Sequence, residues 1–71
     1  MILPRFRRNE RFYHLCEQMN FFDGTSLVCS WGTFEGKLGG YKIIFCKDEV
    51  ELEAQVRDIR KRRKSRGYIE Y

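Results

Sequence analysis

The chain has 71 residues and a formal net charge of +4, with 42% hydrophobic and 34% charged residues. This length predicts one domain over residues 1–71 with no room for a second, and the apolar content excludes a disordered chain. There is no apolar run of the kind found in secretion signals or membrane spans, so we expect a soluble cytoplasmic protein.

The N-terminal part of the chain predicts β-strands and one turn. Residues 12–16 are rich in aromatic side chains and predict a strand, with both faces partly apolar, so the sequence leaves open which face meets the core. Residues 2–8 predict an additional edge strand, because Pro4 suits an edge position. Residues 20–25 contain Asp-Gly followed by β-forming residues and predict a turn.

Two further strands and a short tail complete the predicted sheet. Residues 27–31 and residues 41–46 are dense in β-branched and aromatic residues. The segment between them, residues 32–40, has four glycines in nine residues and predicts a loop or a bulged hairpin end. Residues 68–71 form an apolar tail that we expect to add a last strand.

One helix is predicted from Glu49 to Arg66. Asp48 is a good N-cap with Glu51 three residues later, and Gly67 is the natural stop. An apolar stripe has members at i, i+4 and i+7: Leu52, Val56 and Ile59. The fold class is therefore α+β, a mostly antiparallel sheet of three to five strands packed against one long C-terminal helix.

Positive charge is clustered at two places in the sequence. Residues 57–66 contain seven basic residues against one acid, and a second cluster near the N-terminus consists of Arg5, Arg7, Arg8 and Arg11. Seven bases in ten residues exceed what the helix dipole would explain. Clustered basic residues are typical of proteins that bind polyanions.

Several motifs in order resemble a known family. They are Phe12-Tyr13-x-Leu15, Ser30-Trp31-Gly32, the glycine-rich segment, the strand over 41–45, and Arg66-Gly67-Tyr68. This order resembles the WGR domain over residues 9–71, in particular the small free-standing bacterial proteins of that family. The resemblance implies a sheet flanked by a helix and a role in contacting DNA near strand ends, with the signature tryptophan against the DNA terminus.

The signature itself departs from the family. Thr33 stands where the family has arginine, and Thr33 cannot supply a guanidinium for bidentate phosphate contact. Glu35 adds a negative charge nearby. The WGR domains of poly(ADP-ribose) polymerases often carry an asparagine just before the aromatic pair, and Asn9 lies one residue too far upstream to match it.

We therefore expect a non-catalytic module that binds DNA, or RNA in its place, mainly through phosphates. The candidate nucleic-acid-binding residues are Trp31, Gly32, Lys37, Lys42, Arg5, Arg7, Arg60, Arg62, Arg63, Lys64 and Arg66. Two alternatives stay open. Trp31 could be an ordinary core anchor, and the domain could be a protein-interaction adaptor without nucleic-acid binding.

Catalysis, cofactors and metals have little support. His14 is the single histidine, and no acid or nucleophile is placed to work with it. The three cysteines predict reduced thiols packed as small hydrophobic residues; a Cys₃His zinc site is disfavoured because its ligands would come from three separate strands. We expect no enzyme activity, no cofactor or metal, no small-molecule substrate and no membrane partner.

Overall fold

A computed structural model describes residues 3–19, 24–36 and 39–71, which form a five-stranded sheet and one helix. The elements along the chain are β1 (Arg5–Arg8), β2 (Arg11–Met19), β3 (Thr25–Thr33), β4 (Gly39–Cys46), α1 (Glu49–Ser65) and β5 (Ile69–Glu70). The strand order is β4-β3-β2-β1-β5, and each neighbouring pair is antiparallel. The predicted α+β class is confirmed.

The C-terminal tail forms the last strand, as predicted, and it changes the place of β1. β5 pairs with β1 on the side away from β2, and the Tyr71 amide donates to the Arg5 carbonyl at 2.9 Å. β1 is therefore an inner strand, and the prediction that it forms an edge was wrong. Pro4 lies just before β1 and is buried.

Both long hairpins place glycine close to another part of the backbone. Met19 lies opposite Thr25 across β2 and β3, while residues 20–23 of the predicted turn lie outside the described residues. Gly24 has φ of +83°, and a Cβ atom there would lie 2.6 Å from the Cys46 carbonyl oxygen. The predicted loop over 32–40 is shorter than expected, because Gly32 pairs with Gly39 within the ladder of β3 and β4.

The sheet has one face covered by α1, here called the helix face, and an opposite face, here called the open face. Side chains alternate between the two faces along each strand, so the buried Tyr13 and Leu15 mark the helix face of β2. Phe12, His14 and Cys16 lie on the open face. The buried apolar core consists of Phe6, Tyr13, Leu15, Leu27, Cys29, Cys46, Leu52, Val56 and Ile59.

The helix begins and ends where its sequence signals predicted. The Asp48 carboxylate accepts from the Glu51 amide at 3.0 Å, and the Glu51 carboxylate accepts from the Lys47 amide at 2.6 Å. At the other end Gly67 takes φ of +87°, which favours glycine. The three stripe residues Leu52, Val56 and Ile59 are all buried, as predicted. Among the described residues, no helix is long and apolar enough to cross a membrane.

Candidate nucleic-acid interface

A cavity of about 460 Å³ opens on the helix face beside the C-terminal end of α1. Its charged lining residues among those described are Arg11, Lys42 and Arg63, with no carboxylate. The aromatic residues Tyr13, Trp31 and Tyr68 form much of the remaining wall. This site, here called the basic cavity, has a positive potential that attracts anions, because its three cations face no lining acid.

Trp31 is held in the basic cavity by the strands on either side of it. It lies directly opposite Tyr13 in β2 and Gly40 in β4. The Trp31 and Tyr13 rings are stacked, with centroids 6.0 Å apart and planes 12° apart. A Cβ atom on residue 40 would lie 3.1 Å from the indole, so glycine leaves room for the ring. Trp31 remains 37% exposed, so its indole is accessible and is not a sealed core anchor.

Arg63 extends the inward stripe of α1 by one turn beyond Ile59, since residues at i and i+4 share a helix face. Its guanidinium lies 4.4 Å from the Tyr13 ring centroid and 5.4 Å from that of Tyr68. Both contacts are favourable cation–π arrangements. The helix therefore places one positive charge between aromatic rings at the entrance to the core.

Two residues that line the basic cavity each have a buried side-chain polar atom without a hydrogen-bond partner among the described residues. The two atoms are Nε of Arg63 and Oγ1 of Thr33. Leaving a buried polar atom unpaired costs about 1–3 kcal/mol, and more when the group is charged. Such atoms in a native protein require an explanation, and a bound anion or water is a common one.

The neighbouring titratable groups are neutral and do not oppose an anion. Burial raises the pKa of Tyr13, the nearby Cys29 thiol raises it further, and the charges of Arg63 and Arg62 offset part of that rise. Burial is also the main cause that raises the pKa of Cys29. Both groups are therefore protonated at neutral pH, and the formal charge within the cavity is positive.

The structure brings four predicted residues together and separates others from them. Trp31, Gly32, Lys42 and Arg63 all line the basic cavity. Arg5 and Arg7 lie on the open face, because Phe6 between them points into the core. The N-terminal cluster is therefore divided, since Arg11 lines the basic cavity with Arg63 while Arg5 and Arg7 lie on the opposite face.

The remaining predicted bases lie at or near the end of α1. Arg62 and Lys64 are exposed in its last turn, and Arg66 is the C-cap. Arg60 forms an ion pair with Glu70 in β5, and its Nε lies 3.0 Å from a carboxylate oxygen of that residue. Lys37 lies outside the described residues.

Six residues of the basic cavity were not among the predicted site residues: Arg11, Phe12, Tyr13, Thr33, Gly39 and Tyr68. Tyr13 and Arg11 enter the site only through the register of β2 against β3, which the sequence does not show. Thr33 departs from the family signature, and its sequence position predicted no binding role for it.

The cysteines fit their predicted role in two of three cases. Cys29 and Cys46 are buried, whereas Cys16 is exposed on the open face, so the prediction of a packed thiol was wrong for Cys16. All three are free thiols. Over residues 3–19, 24–36 and 39–71 no group of three or more His, Cys, Asp or Glu side chains is placed to hold a metal ion.

No protein-family model, curated protein or solved structure matches the chain. The functional inference therefore depends on the residues of the basic cavity and on the motifs described above.

Proposed function

We propose that this chain is a non-catalytic nucleic-acid-binding module of the WGR type, which contacts DNA phosphates at the basic cavity. The observation that carries this proposal is the set of groups gathered there. Among the described lining residues three cations face no carboxylate, and an accessible indole lines the same cavity. Nε of Arg63 and Oγ1 of Thr33 are buried and have no partner in the part of the chain that the structure describes.

A phosphate bound in the basic cavity would offer acceptors to the donors of Arg63 and Thr33, which both line it. Nε of Arg63 and the Thr33 hydroxyl are donors, and phosphate oxygens are strong acceptors for charge-assisted hydrogen bonds. Lys42 and Arg11 add positive charge around the same space. In this arrangement Arg63 on α1 provides the guanidinium that Thr33 lacks at the signature position.

Trp31 supplies the apolar part of the proposed contact. Trp31 is 37% exposed, and its indole offers a flat surface on which the sugar or base of a terminal nucleotide can pack. The exposed basic side chains of Arg62, Lys64 and Arg66 add positive charge at the end of α1, where they can contact further phosphates of the nucleic acid. Such contacts neutralise phosphates without reading base sequence, so binding should depend strongly on salt.

The test is binding of a fluorescently labelled, 5′-phosphorylated DNA duplex, followed by anisotropy at low salt. We expect Arg63→Gln to weaken binding by roughly tenfold or more, since a hydrogen bond to a charged group contributes about 1.5–3 kcal/mol. Circular dichroism of the variant checks that the fold is retained.

The matched control is Arg57→Gln, which removes the same charge from an exposed position of α1 that does not line the cavity. We expect it to weaken binding less than about twofold, the scale of an exposed, screened charge. Equal losses in both variants would assign binding to net charge alone, and a wild-type chain that binds no duplex at low salt would refute the proposal.

A further inference from the structure

The open face of the sheet carries a continuous row of aromatic rings. The row runs through Phe34, Phe12, His14 and Tyr71, with successive ring centroids 5.5, 4.7 and 6.0 Å apart. The two terminal rings, Phe34 and Tyr71, are about half exposed. His14 and the Tyr71 hydroxyl share a hydrogen bond of 2.7 Å, which fixes that end of the row. These four residues are called the ring row below.

An arginine is stacked over each end of the ring row. The Arg7 guanidinium lies 4.8 Å from the Phe34 centroid, and the Arg5 guanidinium lies 5.0 Å from the Tyr71 centroid. Arginine stacked on a ring keeps its N–H donors at the edge of its plane, where they can meet phosphate oxygens. The row thus combines flat apolar surfaces with two fixed positive charges.

Carboxylates on the described strands lie away from this face. Glu17 lies opposite Leu27, and Glu70 lies opposite Phe6; both partners are core residues, so both acids lie on the helix face. The nearest other acids, Glu10 and Glu35, are in turns outside the strands. Burial, and then the charge of Arg5, lower the pKa of His14, so its ring is neutral at pH 7.

A second row of exposed apolar side chains lies on β4, which is two strands away from β2 in the sheet. Tyr41, Ile43 and Phe45 are 70%, 57% and 64% exposed on the open face. Strands are spaced about 4.8 Å apart, so roughly 10 Å separates Tyr41 from His14, which is level with it across β3. Ile43 and Phe45 are level with Cys16 and Gln18, beyond the ring row. Between β2 and β4, strand β3 presents the smaller side chains Val28 and Ser30. The open face therefore continues from the ring row as an exposed, mostly apolar surface along β4.

We propose that the open face is a second nucleic-acid site, specific for single strands, in which bases stack on the ring row and phosphates pair with Arg5 and Arg7. Every base has a π-face, so such stacking tolerates any sequence. The bases of a duplex are already stacked on one another and cannot reach these rings. A purely apolar protein partner would bury the two guanidinium groups without counter-charges, which is costly.

The ring row and the basic cavity share Phe12, so the variants that test the open face are placed at residues that do not line the cavity: Phe34, Tyr71, Arg5 and Arg7. The probe is a fluorescently labelled oligothymidylate of about 12 nucleotides, with binding followed by anisotropy. We expect Phe34→Ala to weaken its binding by roughly fivefold to hundredfold, the range that corresponds to about 1–3 kcal/mol for each base–ring stack.

Paired variants at Tyr71 separate stacking from folding. Tyr71→Phe keeps the ring and loses only the hydroxyl, so it should bind within about twofold of wild type, whereas Tyr71→Ala should lose as much as Phe34→Ala. Replacing both Arg5 and Arg7 with glutamine should flatten the plot of log K against log salt by about 1.4, because each phosphate contact on a single strand contributes about 0.7 to the slope.

The two sites give opposite patterns with the two probes. Phe34→Ala should weaken oligothymidylate binding more than Arg63→Gln does, and Phe34→Ala should leave duplex binding unchanged. Failure of duplex binding with intact oligothymidylate binding would refute only the function proposed for the basic cavity. Wild-type affinity for oligothymidylate in Phe34→Ala, Tyr71→Ala and the double arginine variant would overturn the open-face proposal and leave that face to a protein partner.

Discussion

Residues of the same type have different roles in this chain according to the face on which they lie. Cys29 faces α1 and is fully buried, whereas Cys16 is on the open face and is exposed. Burial raises the pKa of both Cys29 and Cys46, and the carboxylates of Glu51 and Asp48 contribute to the rise at Cys46. Reactivity of a thiol requires both thiolate and access, and the two buried cysteines lack both.

The thiols should accordingly react in two distinct classes. Under native conditions we expect an alkylating reagent to label one cysteine per chain quickly, and that cysteine is Cys16. Unfolding in denaturant should expose all three. Mass spectrometry after timed quenching measures the count, and Cys16→Ser should abolish the fast phase. Rapid native labelling of two or three thiols would contradict the described core.

The surroundings of Trp31 could be predicted only in part from the sequence. The sequence indicated that the glycine after Trp31 could admit a ligand. It could not show that Gly40 lies across from the indole or that Tyr13 stacks behind it, because both contacts depend on strand register. By contrast, the inward position of Arg63 follows from helix periodicity alone, since it continues the spacing of Val56 and Ile59.

At the scale of elements, the helix was the part best predicted from sequence. Its N-cap, apolar stripe and terminal glycine all act through neighbours within four residues, so local sequence determines them. Its observed span of Glu49–Ser65 differs from the prediction only in placing Arg66 at the cap. The strands were also located correctly, but β2, β3 and β4 are longer than predicted, whereas β1 and β5 are shorter. Glycines continue the ladder between β3 and β4.

The cap at Asp48 should contribute measurably to stability. Asp48→Ala removes the acceptor for the Glu51 amide and should lower the free energy of unfolding by about 1 kcal/mol. For a domain of this size that corresponds to a fall in Tm of about 4–8 °C, measured by thermal circular dichroism. Asp58→Ala, at an exposed site within the helix, is the matched control. A fall of the same size in the control would show that the cap is not responsible.

The place of β1 could not be predicted because it depends on a non-local pairing. Residues 69–70 form only a two-residue strand, and their position against β1 is set by the length of α1 and the turn at Gly67. Arg60 and Glu70 connect α1 to β5 at 3.0 Å, which adds less than about 1 kcal/mol for an exposed ion pair. Neither interaction has a local sequence signal.

At the scale of the whole molecule, the sheet divides the positive charge between two faces. The sequence suggested one basic surface built from the N-terminal arginines and the end of α1. In the structure Arg11, Lys42 and Arg63 line the basic cavity on the helix face, while Arg5 and Arg7 lie on the open face. Strand alternation around the buried Phe6 causes this separation.

The central claim is that nucleic-acid phosphates bind beside Trp31 and Arg63. The most direct measurement is a ¹H–¹⁵N NMR titration with a short, 5′-phosphorylated DNA duplex, following the side-chain Nε signals of these two residues and the backbone amide of Ile43 on the open face. We predict large, saturable shifts of both Nε signals at low salt, with little change at Ile43. Saturable duplex binding that leaves both Nε signals unmoved would contradict the claim.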